Sequence, residues 1–286
     1  MLFRSERLSR RVTEALIAKG GRPLLVKLLE RPDAPFSAAM LRQAADRDGV
    51  GDAELRGLLL ARDDLPADAR LVLVQAVAAA LRKTRMVSGA VAPHRLERLL
   101  RDATDTALTA IGEQEAAAGR APYAIELVES EFVSTRVMLH AIVQGHVLFF
   151  ADCVAQLAEI PREKVFTLLE HGSRAALNAL FARCGLGEAV RNMLVRLIFH
   201  ARAADLADDL AARHFVVTAL TEELIVEHDG VIPEELEEAF AYLSEQNVIL
   251  ARRAARGVMS AFAGMTQTEM ALPQLDAEER LALPAA

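Results

Sequence analysis

Seven histidines and a series of adjacent carboxylates are the residues of this chain with the most chemistry to offer. The histidines are His94, His140, His146, His171, His200, His214 and His228. A zinc or di-iron centre built on helices needs histidines four apart, or Glu-x-x-His pairs on facing helices, so that the ligands project from one face. No two histidines here are four apart, and no Glu precedes a His by three. His140 and His146 are six apart with Gly145 between them. The histidines therefore read as helix-end or partly exposed residues, and no metal site is expected. The carboxylate pairs are Asp63-Asp64, Asp208-Asp209, Glu222-Glu223, Glu234-Glu235 and Glu237-Glu238. Acid–base catalysis would need two of them held together in a desolvated cleft. Adjacent helix residues do not face one another. Glu234-Glu235 also follow Pro233 in an expected first turn, where negative charge offsets the helix dipole.

A nucleophile is no better supported. Neither Gly-x-Ser-x-Gly nor Ser-x-x-Lys occurs, and Gly172-Ser173 reads as a helix end followed by an N-cap. Cys153 and Cys184 sit inside apolar helical patterns without a Cys-x-x-Cys, as buried thiols of a reducing compartment do. Phosphate-binding and dinucleotide loops require a βα unit, which this chain does not suggest. The expectation is a protein that is not an enzyme and carries no cofactor.

The elements around these residues are helical. Apolar residues make up 52% of the chain against 26% charged, with no Trp and two Tyr; the dominant Ala, Leu and Arg lose little rotamer freedom on a helix. Leu96, Leu99, Leu100, Ala103, Ala107 and Ile111 keep helical spacing, as do Val190, Met193, Leu194, Leu197, Ile198 and Ala201. No segment alternates with period two. Pro66, Pro93, Pro161 and Pro233 mark helix starts, Ser37 and Asp52 are candidate N-caps, and Gly145, Gly172 and Gly185 mark ends. Between these marks the sequence predicts helices near 4–19, 21–30, 37–47, 52–61, 66–84, 92–112, 122–131, 132–144, 146–159, 162–171, 173–184, 187–204, 206–228 and 233–262. Their short connections favour antiparallel neighbours. The fold class expected is all-α, with short helix pairs stacked as a HEAT-like α-solenoid. The polar, small-residue stretch EQEAAAGRAP suggests a division into units 1–112 and 121–262, and 263–286 reads as a flexible tail.

Charge and hydropathy narrow the partners. A formal charge of −7 opposes nucleic-acid binding, which needs a basic surface. The most continuous apolar run, 137–158, is broken by His140, Gln144, His146 and Asp152, so no transmembrane segment is expected. The N-terminus lacks a signal-like apolar core, and a cytoplasmic location is expected. Residues 1–31 are basic, and a smaller basic cluster lies on the last helix. The candidate partner-contact residues are Arg4, Arg7, Arg10, Arg11, Arg252, Arg253 and Arg256. The last helix is amphipathic through Leu236, Phe240, Leu243, Leu250 and Ala254, so it could also pair with its copy in a homodimer. Two further readings are a small apolar ligand held around Met138, Leu148, Phe149, Phe150 and Phe166, and peripheral membrane association through the basic N-terminal helix.

The segments LSRRVTEALIAKGGRPLLVKLLERPDAPFSAAML and LRGLLLARDDLPADARLVLVQAV resemble an alphaproteobacterial family of HEAT-like helical-repeat proteins, the domain of unknown function 2336. LHAIVQGHVLFFADCVAQLAEIPREKVFTLL and AALNALFARCGL resemble a second signature of that family. Because the chain starts almost at the first of these segments, the resemblance implies an N-terminally shortened member. It implies no reaction, ligand or partner. The function expected is a non-enzymatic module for protein–protein interaction in bacterial signalling or regulation, its protein partner unidentified.

Overall fold

The computed structural model describes residues 8–31, 33–120, 122–204, 206 and 209–269. These form fourteen α-helices and one π turn, and no strand occurs among the described residues. No described helix is long and apolar enough to cross a membrane.

The first helices begin and end where local chemistry requires it. In α1 (Arg10–Leu29) the Ser9 hydroxyl accepts the Val12 N–H at the N-terminus. The helix kinks at Gly21, whose φ of 54° suits a residue without Cβ, and Pro23 begins the second half. α2 (Ala38–Ala44) is capped by Ser37 and runs into the π turn Ala45–Gly49. α3 (Ala53–Leu60) is capped by the Asp52 carboxylate, which accepts the Glu54 and Leu55 N–H groups at 2.9 and 3.2 Å. The Arg22 guanidinium beside Asp52 holds that carboxyl down to about 2. α4 (Ala67–Lys83) follows Pro66, and the one-and-a-half-turn α5 (Arg85–Ala90) precedes α6 (Pro93–Ala117).

Then come α7 (Pro122–Glu129), α8 (Thr135–Val143), α9 (Val147–Ala158), α10 (Arg162–His171) and α11 (Arg174–Arg183). The last three are α12 (Glu188–Arg202), α13 (Leu210–Glu227) and α14 (Glu234–Glu269). Gly145 and Gly185 end α8 and α11 in the left-handed region, at φ of 78° and 77°. Gly172 does not; it is extended, and Ser173 after it caps α11.

Two compact units emerge, residues 1–186 and 187–286. The stretch 113–121, read from composition as a boundary, lies inside the first. There α6 continues to Ala117, because Ala, Glu and Gln are good helix formers despite looking like a linker. α14 likewise runs through 263–269, within the segment read as a tail, while 270–286 lie outside the described residues.

In unit 1, Leu25 and Leu28 of α1 close over Leu41, Leu55, Leu59 and Leu73 of α2 to α4. Further along, α6 and α9 act as hubs: α6 packs on α4, α7, α8 and α9, and α9 also packs on α7, α8, α10 and α11. Each fully buried Leu or Phe in such contacts contributes about 1.5–3 kcal/mol relative to exposure. The α6–α9 approach is closest at Gly112, where a Cβ would stand 2.2 Å from Cδ2 of Phe149. In unit 2, α13 and α14 form an antiparallel hairpin that also meets α12. Its core includes Leu220, Leu224, Leu236, Tyr242, Leu243 and Leu250.

Candidate functional site

The side chains most able to do chemistry are buried between helices of unit 1. Asp105 lies in the apolar stripe of α6 that contains Leu108, Gly112 and Ala116. Its carboxylate meets Arg136, the second residue of α8, with Nε to Oδ2 at 2.7 Å and side-chain exposures of 10% and 5%. Burial pushes the Asp105 carboxyl above its ordinary value, and the guanidinium offsets this only in part. One turn along α8 from Arg136, Nε2 of His140 lies 3.2 Å from the hydroxyl of Thr106, the residue after Asp105 on α6. His140 stands in the last turn of α8, as a helix-end histidine, but at 1% exposure it is not partly exposed: all of α8 from Arg136 to Val143 is buried.

A second, half-buried link joins Asp152 of α9 to Arg162 of α10 at 2.8 Å, and the guanidinium also lies over the Phe166 ring at 5.3 Å. Burial raises the Asp152 carboxyl as well. Both cysteines are free; burial pushes the Cys184 thiol up to about 11 and the more deeply buried Cys153 thiol higher still. These groups tie helices together. None of them lines either of the two clefts below. In the aromatic region considered for an apolar ligand, Phe149 lies against Tyr123 and Phe150 edge-on to Phe181, both at 6.3 Å.

Glu113 was missed by sequence reasoning, which placed it in a linker. From α6 its carboxylate accepts the Phe149 N–H at 2.8 Å and the Leu148 N–H at 3.3 Å, capping the otherwise uncapped start of α9. Glu113→Ala is therefore expected to cost about 1–2 kcal/mol, the range of a lost N-cap. Urea unfolding followed by circular dichroism checks this, and Glu113→Gln should retain part of the cap.

Among the described residues of unit 1, two clefts open to solvent are lined by charged side chains. The first, about 370 Å³, is lined by Arg42, Asp63, Asp68, Glu115, Arg120 and Tyr123 among others. Its arginines are engaged, Arg42 with Asp68 at 2.5 Å and Arg120 with Glu115 at 2.7 Å. The second, about 490 Å³, runs along Leu29, Leu58, Arg62 and Asp64. There Arg62 chelates Asp64 and stacks over Phe36. Among the described residues no group of three or more His, Cys, Asp or Glu side chains is placed to hold a metal ion.

The basic candidates fall in different units. Arg4 and Arg7 lie outside the described residues, and Arg10 and Arg11 are exposed in the first turn of α1. Much of the surrounding surplus is neutralised, since Arg22 pairs with Asp52 and Glu54, and Arg31 with Asp33. Arg252, Arg253 and Arg256 are exposed on α14.

What sequence reading did not single out is the apolar surface of unit 2. Phe215 and Val226 of α13 are 68% and 76% exposed, and Val248 and Met259 of α14 are 50% and 70% exposed. Phe215 and Val226 are eleven residues apart, three helical turns, so they share one face of α13.

Residues 4–224 match a family described as an uncharacterised protein conserved in bacteria (DUF2336). No curated protein and no solved structure shows significant similarity to the chain.

Proposed function

We propose that this chain, which belongs to the DUF2336 family of uncharacterised bacterial proteins, is a non-enzymatic, cytoplasmic helical module. Its short helix pairs stack in the manner of a repeat protein and present an apolar face to a protein partner in bacterial signalling or regulation. The observation that carries this reading is the unit 2 surface on α13, where Phe215 and Val226 face outward on one side of the helix with the exposed Glu222 between them. Isolated exposed apolar residues are ordinary, but large ones aligned along one helix face mark a surface that buries itself against another molecule. The charged clefts of unit 1 fit catalysis poorly, because their arginines are spent on neighbouring carboxylates.

The test places a photo-crosslinking amino acid at Phe215 or Val226 of the full chain in its native host. The expected result is one protein captured reproducibly from both positions and not from the exposed Arg47 on the π turn. Equal capture from all three positions, or none from Phe215 and Val226, would remove the support for this face. Native mass spectrometry of the same protein separates the ligand-binding alternative by the presence of a bound small molecule.

A further inference from the structure

α14 is about 54 Å long by its 36 residues, twice the length of α13, its hairpin partner. Leu236, Ala239, Leu243, Gln246 and Leu250 form the buried inner seam of α14, which packs on α13 and α12, and are spaced alternately by three and four residues. Beyond Leu250 no described side chain of α14 is buried. A second row runs along the helix with the same spacing: Glu238, Ala241, Glu245, Val248, Arg252, Ala255 and Met259. Of these only Glu245 is half-buried; the others are exposed. Within that row Ala241, Val248 and Ala255 repeat every seven residues, the spacing of a coiled-coil seam.

Charge along this helix is segregated. Residues 234–245 contain Glu234, Glu235, Glu237, Glu238 and Glu245 and no basic residue, whereas 246–268 contain Arg252, Arg253 and Arg256 and no acidic one. A parallel neighbour with the same sequence would set glutamates on glutamates and arginines on arginines. An antiparallel copy does the opposite. With a two-fold axis near Val248, Ala241 of each copy lies opposite Ala255 of the other, and Arg256 comes within reach of Glu237 and Glu238. That arrangement is isologous, so each favourable contact occurs twice.

We propose that the outer face of α14 is a self-association surface, and that its occupant is the α14 of a second copy, paired antiparallel through Ala241, Val248 and Ala255 with flanking Glu–Arg contacts. This rests on the reading of the chain as an interaction module and names one of its partners. The partner is chosen by charge complementarity and by the seven-residue spacing. An anionic or acidic partner would satisfy the arginines alone and leave the glutamate half of the same row facing like charge.

Sedimentation equilibrium of the purified full chain tests this directly. A dimer is expected, weakening at least tenfold in affinity between 50 and about 500 mM salt as the flanking contacts are screened. Arg252→Glu with Arg256→Glu should yield monomers, and so should Glu237→Arg with Glu238→Arg. All four positions are exposed and lie outside the inner seam, and circular dichroism confirms that each variant is folded. Mixing the two double variants should restore dimers, now mixed, because each supplies the charge the other has lost. Val248→Cys should oxidise to an intermolecular disulfide, while Met86→Cys, at a still more exposed position of unit 1, should not.

A monomeric wild-type chain at about 100 µM would overturn the proposal. So would a dimer that persists in both double variants, or a mixture that stays monomeric. Failure here leaves the crosslinking result at Phe215 and Val226 untouched, so the loss of self-association and the loss of the interaction reading are told apart.

Discussion

Asp105→Leu is expected to lower folding stability by about 3–5 kcal/mol, the range for breaking a buried ion pair by removing one partner. The Arg136 guanidinium stays charged at every accessible pH, so the leucine leaves it buried without its carboxylate. The reciprocal Arg136→Met should be as damaging at neutral pH but less so in acid. Burial already favours the neutral Asp105 carboxyl, and the loss of Arg136 strengthens that preference, so a proton can relieve the defect.

The sign of the pH dependence follows from this. A carboxyl raised in the folded state contributes most to stability below its unfolded value, near 3.9, and loses that contribution as pH rises through the folded value. Stability of Arg136→Met relative to the parent should therefore improve from pH 7 toward pH 4.5, while that of Asp105→Leu should not. The double change Asp105→Leu with Arg136→Met should recover most of the loss, because apolar pairs replace buried ion pairs at little cost. Urea unfolding of the four proteins at two pH values measures the coupling directly. Losses below about 1 kcal/mol for both single changes would mean that the pair is effectively solvated.

Phe149→Ala is expected to cost about 3–5 kcal/mol, the range for emptying a buried aromatic site. The ring is 1% exposed and rests on Gly112 of α6 and against Tyr123 of α7, so its removal opens the junction of three helices. The glycine supplies a second and sharper test. In the parent, Gly112→Ala should destabilise by about 1–3 kcal/mol, since the added methyl group overlaps a ring that has no room to withdraw. In the Phe149→Ala background the overlap is gone. There the same change should be neutral, or stabilising by up to about 1 kcal/mol through helix propensity. A reversal of sign in thermal or urea unfolding identifies steric contact as the cause. The same sign in both backgrounds would refute it.

Membership of the family was legible in the sequence because its signatures are the apolar and punctuating residues that shape a helical chain, and the match extends from residue 4 to 224. The candidate surfaces were legible only in part. The arginines of α14 could be found by composition, but the exposure of Phe215 and Val226 could not. In an isolated helix pattern both residues belong to an apolar stripe, and only the packing of α12, α13 and α14 decides which stripe is turned inward. Asp105 did leave a signal, since it interrupts the stripe of Leu108, Gly112 and Ala116. A charge in that position must find a buried partner or destabilise the helix contact.

Local chemistry settles helix starts and stops, and these the sequence determined by itself: Ser37, Asp52 and Ser173 cap the helices that follow them, and Gly145 and Gly185 turn left-handed after α8 and α11. Each of these interactions spans only a few residues, so the chain carries its full specification locally. The tertiary structure alone decided that Glu113 caps α9 from 36 residues away, that Arg136 answers Asp105, and that two compact units meet after Leu186. Those outcomes depend on which helices come together, and burial is a property of the assembled contact that no residue carries in its own neighbourhood.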